Sequence, residues 1–274
     1  MAETVRAALV RAAAGLSATS GTARLDAELL MAHALGIGRA AMLLSRLDDP
    51  APERFEALLA RRMAHEPVAY IVGERDFWTI TLAVEPGVLI PRPDSETLIE
   101  AAVAHFGARG PGRVLDLGVG SGALLLAALD QWPGATGIGV DRSERAVAIA
   151  RANAERLGLA GRADIRPGDW AAGIDERFDL LLCNPPYVES GARLAPDVAG
   201  HEPASALFAG PDGLDDYRRL APEIGRLLAP GGLAAVEIGS DQADAVRALF
   251  AAEGLAGRVA RDLAGRDRAI LVAG

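Results

Sequence analysis

Apolar positions in the first 75 or so residues recur at helical spacing. Ala7, Leu9, Val10 and Ala14 form one set, and Ala27, Leu30, Met31, Ala34 and Leu35 a second. A third stretch runs from Pro52 to about Ala64, with Phe55, Leu58, Leu59 and Met63 on one face. Breaks fall over residues 15–22, 36–38 and 48–52. Ala and Leu dominate and β-branched residues are few, so this part predicts a short helical bundle. From Phe77 the pattern changes. Residues 77–82 are aromatic and β-branched, and Val88-Leu89-Ile90 follows after Glu85-Pro86-Gly87. The two runs read as the strands of a hairpin joining two domains. Pro91-Arg92-Pro93-Asp94-Ser95-Glu96 reads as a rigid turn, with Asp94 or Ser95 capping a helix that runs to about Gly107.

After Gly110 strands and helices alternate. Strands are predicted over 113–117, 136–140, 163–166, 178–183 and 233–238, and helices over 121–131, 144–157, 217–228 and 241–252. Two more strands, 259–263 and 269–272, close the chain with no helix between them, so at least one is expected to be antiparallel. This order implies an α/β domain with a mostly parallel seven-stranded sheet covered on both faces. The predicted division is a helical domain over 1–75, a β-hairpin linker over 76–94 and the α/β domain over 95–274.

Composition narrows the function classes. Half of the 274 residues are apolar and 24% are charged, which excludes wholesale disorder. The 28 basic residues, all Arg, are outnumbered by 37 acidic ones, giving a net charge of −9. The first 75 residues hold nine of each sign, so the whole surplus lies in the remainder. That balance does not suit a protein that holds nucleic acid mainly by neutralising phosphates, although a local basic patch stays open. The single cysteine, Cys183, excludes a disulfide framework and a Cys-based zinc site, and reads as a small buried hydrophobe. The four histidines show no metal-ligand spacing, so no metal is expected. No apolar run reaches bilayer length and no signal peptide is recognisable, so the expectation is a cytoplasmic protein with no membrane partner.

The candidate chemistry lies at four strand ends. Val114-Leu115-Asp116-Leu117-Gly118-Val119-Gly120-Ser121-Gly122 leaves an apolar strand and enters a helix. Glycines there let the backbone turn sharply and approach a ligand, and the helix start offers free N–H groups. The next strand ends at Asp141, 23 residues after Gly118, where an acid commonly accepts hydrogen bonds from a ribose diol. Loop and acid together indicate a nucleoside cofactor without separating NAD from S-adenosylmethionine. After the third strand, Asp169 and Trp170 are placed to meet an adenine edge and face.

The fourth strand runs directly into Asn184-Pro185-Pro186-Tyr187. Two prolines rigidify this turn and remove two donors, while their carbonyls still accept. Asn184 Oδ1 and the Pro185 carbonyl are placed to receive the two hydrogens of a substrate –NH₂, and Tyr187 to pack on its planar face. A planar amide or aryl amine is a poor nucleophile because its lone pair is delocalised. Two acceptors fix its orientation and stabilise the positive charge that develops on nitrogen during transfer.

These residues together resemble the class I S-adenosylmethionine-dependent methyltransferases that modify planar –NH₂ nitrogens. A closer resemblance, to the release-factor glutamine methyltransferase family (HemK/PrmC type), is carried by Leu89-Ile90-Pro91-Arg92-Pro93-Asp94-Ser95-Glu96, by Glu202-Pro203 with Ala206-Leu207, and by Gly210, Asp212-Gly213-Leu214 and Tyr217-Arg218. It covers essentially the whole chain, with slight departures at Ser95, Val119 and Ser121, where Thr is frequent. The resemblance implies a Rossmann-like methyltransferase domain behind a helical substrate-recognition domain. It implies methylation of the glutamine amide nitrogen, N5, in the Gly-Gly-Gln motif of class 1 peptide chain release factors, with S-adenosylmethionine as methyl donor. Gly118, Val119, Gly120, Ser121 and Gly122 would hold the methionine end of that cofactor, Asp141 its ribose and Trp170 its adenine. Asn184 would touch both cofactor and substrate, while Pro185, Pro186 and Tyr187 complete the grip on the amide. The N-terminal helices would contact the release factor body, and no direct nucleic-acid partner is expected. Competing readings are a nucleic-acid amine methyltransferase, a non-catalytic binding module and, more weakly, a dehydrogenase. The last leaves Asn-Pro-Pro-Tyr unexplained.

Overall fold

The computed structural model describes residues 3–274. The chain forms two compact units, one holding the chain up to Glu74 together with Leu194–His201, the other Arg75–Arg193 and Glu202–Gly274.

The first unit contains α1 (Val5–Leu16), α2 (Ala23–Leu35), α3 (Arg39–Ser45), α4 (Arg54–Met63) and α5 (Val68–Val72), with the short helix Pro196–Ala199. Thr4 caps α1 by accepting from the Ala7 N–H, and Gly36 ends α2 at φ 72°, a left-handed turn that glycine adopts without strain. The buried stripe of α1 is Val5, Ala8, Leu9, Ala12 and Leu16. Ala7, Val10 and Ala14, read from the sequence as part of that stripe, face solvent instead, as does Met63 on α4. Alanines mark a helix face poorly, and the true period starts at Val5 rather than Ala7. Within this core Asp26 is buried but well partnered, accepting from the Ser20 and Thr22 hydroxyls and from Arg62 Nε, each at 2.8 Å.

A hairpin of β1 (Glu74–Phe77) and β2 (Ile80–Ala83) begins at the last residue of the first unit's long stretch and otherwise belongs to the second unit. This corrects the predicted pairing. The chain reverses at Trp78-Thr79, with Trp78 at φ 53°, and Val88-Leu89-Ile90 is not a strand. Trp78 is held in its turn because its N–H donates to Glu96 Oε1 and its ring Nε1 to Gln131 Oε1. Val88 packs on Ala146 and Ile149. Phe77, Ile80 and Leu82 are buried in the core of this unit, so the hairpin is part of its packing.

Then follow α6 (Glu96–Phe106), β3 (Arg113–Leu117), α7 (Ala123–Gln131), β4 (Thr136–Asp141), α8 (Glu144–Arg156), β5 (Ala163–Pro167), β6 (Phe178–Cys183), α9 (Asp215–Leu227), β7 (Leu228–Glu237), α10 (Ala243–Ala252), β8 (Gly257–Arg261) and β9 (Asp267–Ala273). The seven strands order as β5-β4-β3-β6-β7-β9-β8. β3 to β7 are parallel, and β9 runs antiparallel to both β7 and β8. A bulge between Phe178 and Leu180 lets β7 start five residues earlier than predicted, and β8 ends before Leu263, which stands almost fully exposed. Strand residues alternate between two cores. Val114, Leu180 and Leu182 face α6, α7 and the hairpin, while Leu115, Leu181 and Cys183 face α9 and α10. Among the described residues no single helix is long and apolar enough to cross a membrane.

Register then fixes what meets at the carboxyl edge of the sheet. Leu117 pairs with Val140 on one side and Cys183 on the other, and Cys183 pairs with Val236. The residues that follow, Gly118, Asp141, Asn184 and Glu237, therefore emerge side by side. The strand order reverses between β3 and β6, which is where open α/β sheets bind ligands.

Candidate active site

The glycine loop is built by its hydrogen bonds. Gly118 and Val119 both donate to the Val140 carbonyl, at 2.9 and 3.0 Å, and Gly120 N–H donates to Asp141 Oδ2 at 3.0 Å. Asp141 Oδ1 accepts from the Ser143 N–H, so one carboxylate ties the loop to the start of α8. At Gly122 the chain takes φ 91°, and a Cβ there would sit 2.7 Å from Leu126 Cδ1. Gly122 is thus required for close packing at the start of α7.

Above this loop lies a cleft of about 1010 Å³, open to solvent. Of the residues proposed from sequence, Gly118, Val119, Gly120, Ser121, Asp141, Trp170, Asn184 and Pro186 line it. Gly122, Pro185 and Tyr187 lie outside that lining. Trp170 is held at φ 51°, a region costly for a bulky residue, with its Nε1 donating to Asp216 Oδ1 at 3.2 Å. Its ring lies so close to Gly118 that a Cβ on that glycine would approach to 3.3 Å. Tyr187 is anchored through its carbonyl, which accepts from Gln242 Nε2 at 3.0 Å, and burial pushes its phenol up to about 12.

The sequence reading placed Asp116, Arg92, Ser95 and Glu202 in its motifs without giving them a contact at the site, and it did not single out Glu237. Asp116 lines the cleft, is fully buried, and is pushed up to about 7, chiefly by burial. Its Oδ2 accepts from the Leu125 N–H, while Oδ1 has no hydrogen-bond partner among the described residues. Ser95, read from sequence as one of two candidate helix caps, makes no capping bond; instead its Oγ accepts from Asn184 Nδ2 at 3.2 Å. Arg92 lines the cleft and pairs with the buried Glu202, which also takes the Ile90 N–H. Glu237 is buried beside Ser95 and Tyr187 and is likewise pushed up to about 7 by burial.

The residues present fit S-adenosylmethionine. That molecule brings a sulfonium and an ammonium group, a ribose diol and a flat base. The cleft offers an orphaned buried carboxylate oxygen on Asp116, the Asp141 carboxylate at the second strand end, a glycine loop with positive φ at Gly118 and Gly120, and the Trp170 ring.

Comparison with known proteins agrees with this chemistry. The model of the PrmC N-terminal domain matches residues 7–73, and that of the methyltransferase small domain matches residues 93–200. A release factor glutamine methyltransferase of Rhodospirillum rubrum is 47% identical over 90% of this chain and 78% of its own. One of Cereibacter sphaeroides is 46% identical over 98% and 96%, and one of Pseudomonas aeruginosa 43% over 92% and 93%. Among solved structures, the hMettl16 catalytic domain in complex with the MAT2A 3′UTR hairpin 6 aligns with a TM-score of 0.59 at 15% identity, over 79% of this chain and 81% of that one. The Thermus thermophilus 16S rRNA N2 G1207 methyltransferase, in complex with AdoMet and guanosine, aligns with a TM-score of 0.53 at 21% identity, over 73% and 49%. These two show a shared class I methyltransferase fold.

Proposed function

The chain belongs to the release factor glutamine methyltransferase family, and from that premise we propose that it methylates N5 of the glutamine in the Gly-Gly-Gln motif of class 1 peptide chain release factors. It is an S-adenosylmethionine-dependent methyltransferase. The observation that carries the finer reading is the orientation of Asn184. Its NH₂ is spent on Ser95, which leaves the carbonyl of the amide on the opposite side for a substrate N–H.

S-adenosylmethionine, when bound, supplies an electrophilic methyl group on a sulfonium sulfur. Gly118, Val119, Gly120, Ser121 and Gly122 hold its methionine end, Asp141 its ribose and Trp170 its adenine. Asn184 Oδ1 and the Pro185 carbonyl accept the two N–H groups of the substrate amide and fix the nitrogen in line for attack. Both acceptors strengthen as positive charge develops on that nitrogen, which is where catalysis gains. Tyr187 packs on the amide plane. No strong base is needed at the nitrogen, because the proton leaves after the new bond has formed and the nitrogen has become acidic. The N-terminal helices take the body of the release factor, and the site works in the cytoplasm without nucleic acid or membrane.

Intact mass measurement tests this directly. A class 1 release factor incubated with the protein and S-adenosylmethionine gains one methyl group, and the same factor with its Gly-Gly-Gln glutamine changed to alanine gains none. A methyl on both would move the target to another residue, and a methyl on neither would remove release factors as the substrate.

A further inference from the structure

An asparagine that grips a substrate amide works only one way round. Its carbonyl must meet the substrate N–H groups, so its own NH₂ must be occupied elsewhere. Ser95 Oγ accepts that NH₂ at 3.2 Å. A serine hydroxyl is itself ambivalent. Turned around, it would donate to the asparagine carbonyl and present the NH₂, a donor, to a substrate that is also a donor. What removes the ambiguity is the neighbour of Ser95. The carboxylate of Glu237, at the end of β7, is buried beside the Ser95 and Tyr187 hydroxyls and offers an acceptor for the Ser95 proton. Ser95 and Glu237 are 4% and 1% exposed, so water does not compete. Glu237 Oε2 has no hydrogen-bond partner among the described residues. The nearby Arg268 is already committed to Asp94 at 3.0 Å and Asp262 at 3.1 Å. A buried carboxylate that satisfies so little of its own demand is a poor stabiliser of the fold.

We propose that Glu237 and Ser95 are positioning residues, a two-member relay that locks the Asn184 amide with Oδ1 toward the substrate. The relay rests on the reading of Asn184 as the amide acceptor. It joins three distant parts of the chain, the turn before α6, the end of β6 and the end of β7.

The chain holds two asparagines, Asn153 and Asn184, so isotopic labelling of asparagine nitrogen yields two side-chain amide signals. Asn153 is an internal reference, fully engaged with Ala83 on both sides and with the Ser121 carbonyl. In Ser95→Ala the Asn184 signal should move and the Asn153 signal should not. Methyl transfer to the release factor should fall about tenfold in kcat, with affinity for S-adenosylmethionine held within about twofold. Ser95→Thr, which keeps the hydroxyl, should restore both. Glu237→Met, of similar volume with no acceptor oxygen, should reproduce the Ser95→Ala result, and Glu237→Gln should restore it. If Glu237→Met does not fold, the Ser95 pair decides alone. An unmoved Asn184 signal in folded Ser95→Ala, or transfer at the wild-type rate, overturns the relay. A wild-type protein that leaves the release factor unmodified defeats the substrate assignment instead, and the amide signals still decide whether the relay holds Asn184.

Discussion

Asn184 sits at the meeting of two demands, for a rigid backbone and for a correctly turned amide. Asn184→Ala should cost about 10²–10³ in kcat, with a smaller loss in cofactor affinity; near wild-type turnover would exclude it as an amide acceptor. Asp116 makes a different prediction. Burial holds it near neutrality, so it ionises as pH rises through about 7. A cationic ligand favours the ionised form, so S-adenosylmethionine should bind more tightly as pH goes from about 6 to 8, by up to about tenfold. Asp116→Asn should flatten that dependence in calorimetry, and an unchanged slope would place the cation elsewhere. The motif residues were legible because each lies beside its own signal, a glycine loop or a proline pair at a strand end. Glu237 carries no such signal, and Ser95, although it lies in the Leu89–Glu96 motif, gives none of its contact with Asn184. A serine after a rigid turn looks like a cap, and a lone glutamate ending an apolar strand looks like a surface residue, until the parallel register of β6 and β7 brings the ends together.

Among the elements, those with a long apolar period or a sharp boundary were read nearly to the residue, β3 and β6 among them. The hairpin was not. Phe77 to Leu82 is a continuous β-former run, and nothing in it announces a reversal at Trp78-Thr79. That reversal depends on tertiary contacts from Glu96 and Gln131. The helices α3 and α5, of seven and five residues, are too short for a period to emerge. Gly122→Ala tests an element boundary. It places a Cβ at a left-handed φ and into Leu126, so it should destabilise the protein by about 1–3 kcal/mol and lower the melting temperature. An unchanged melting temperature would mean that the start of α7 relaxes freely.

Across the whole molecule, buried carboxylates set the response to pH. Asp116 and Glu237 are raised from 3.8 and 4.5 to about 7, so between those values the native state holds protons that the unfolded chain has released. Their contribution is therefore full at low pH and is lost as pH rises through about 7. Glu28 and Glu66 oppose this, being lowered despite partial burial by their arginine partners, and they lose stability as pH falls below the usual carboxylate range. Stability should be greatest in mildly acidic solution. Glu237→Gln should raise the melting temperature at pH 8, by roughly 2–4 °C per kcal/mol of relief, and leave it unchanged near pH 4. An equal change at both pH values would exclude ionisation as its cause.

The segment Leu194–His201 has a consequence for how such a protein can be cut or recombined. The helical unit is not one stretch of chain but two, so the backbone passes between the units three times. The second stretch leaves from the loop after Tyr187 and returns at Glu202, the partner of Arg92. A gene broken at residue 74 would therefore carry off only part of a domain, and would leave eight residues stranded between the Asn184–Tyr187 loop and Glu202. Exchange of the helical unit between such enzymes requires two coordinated crossovers, and a simple fusion at the amino terminus cannot substitute for them.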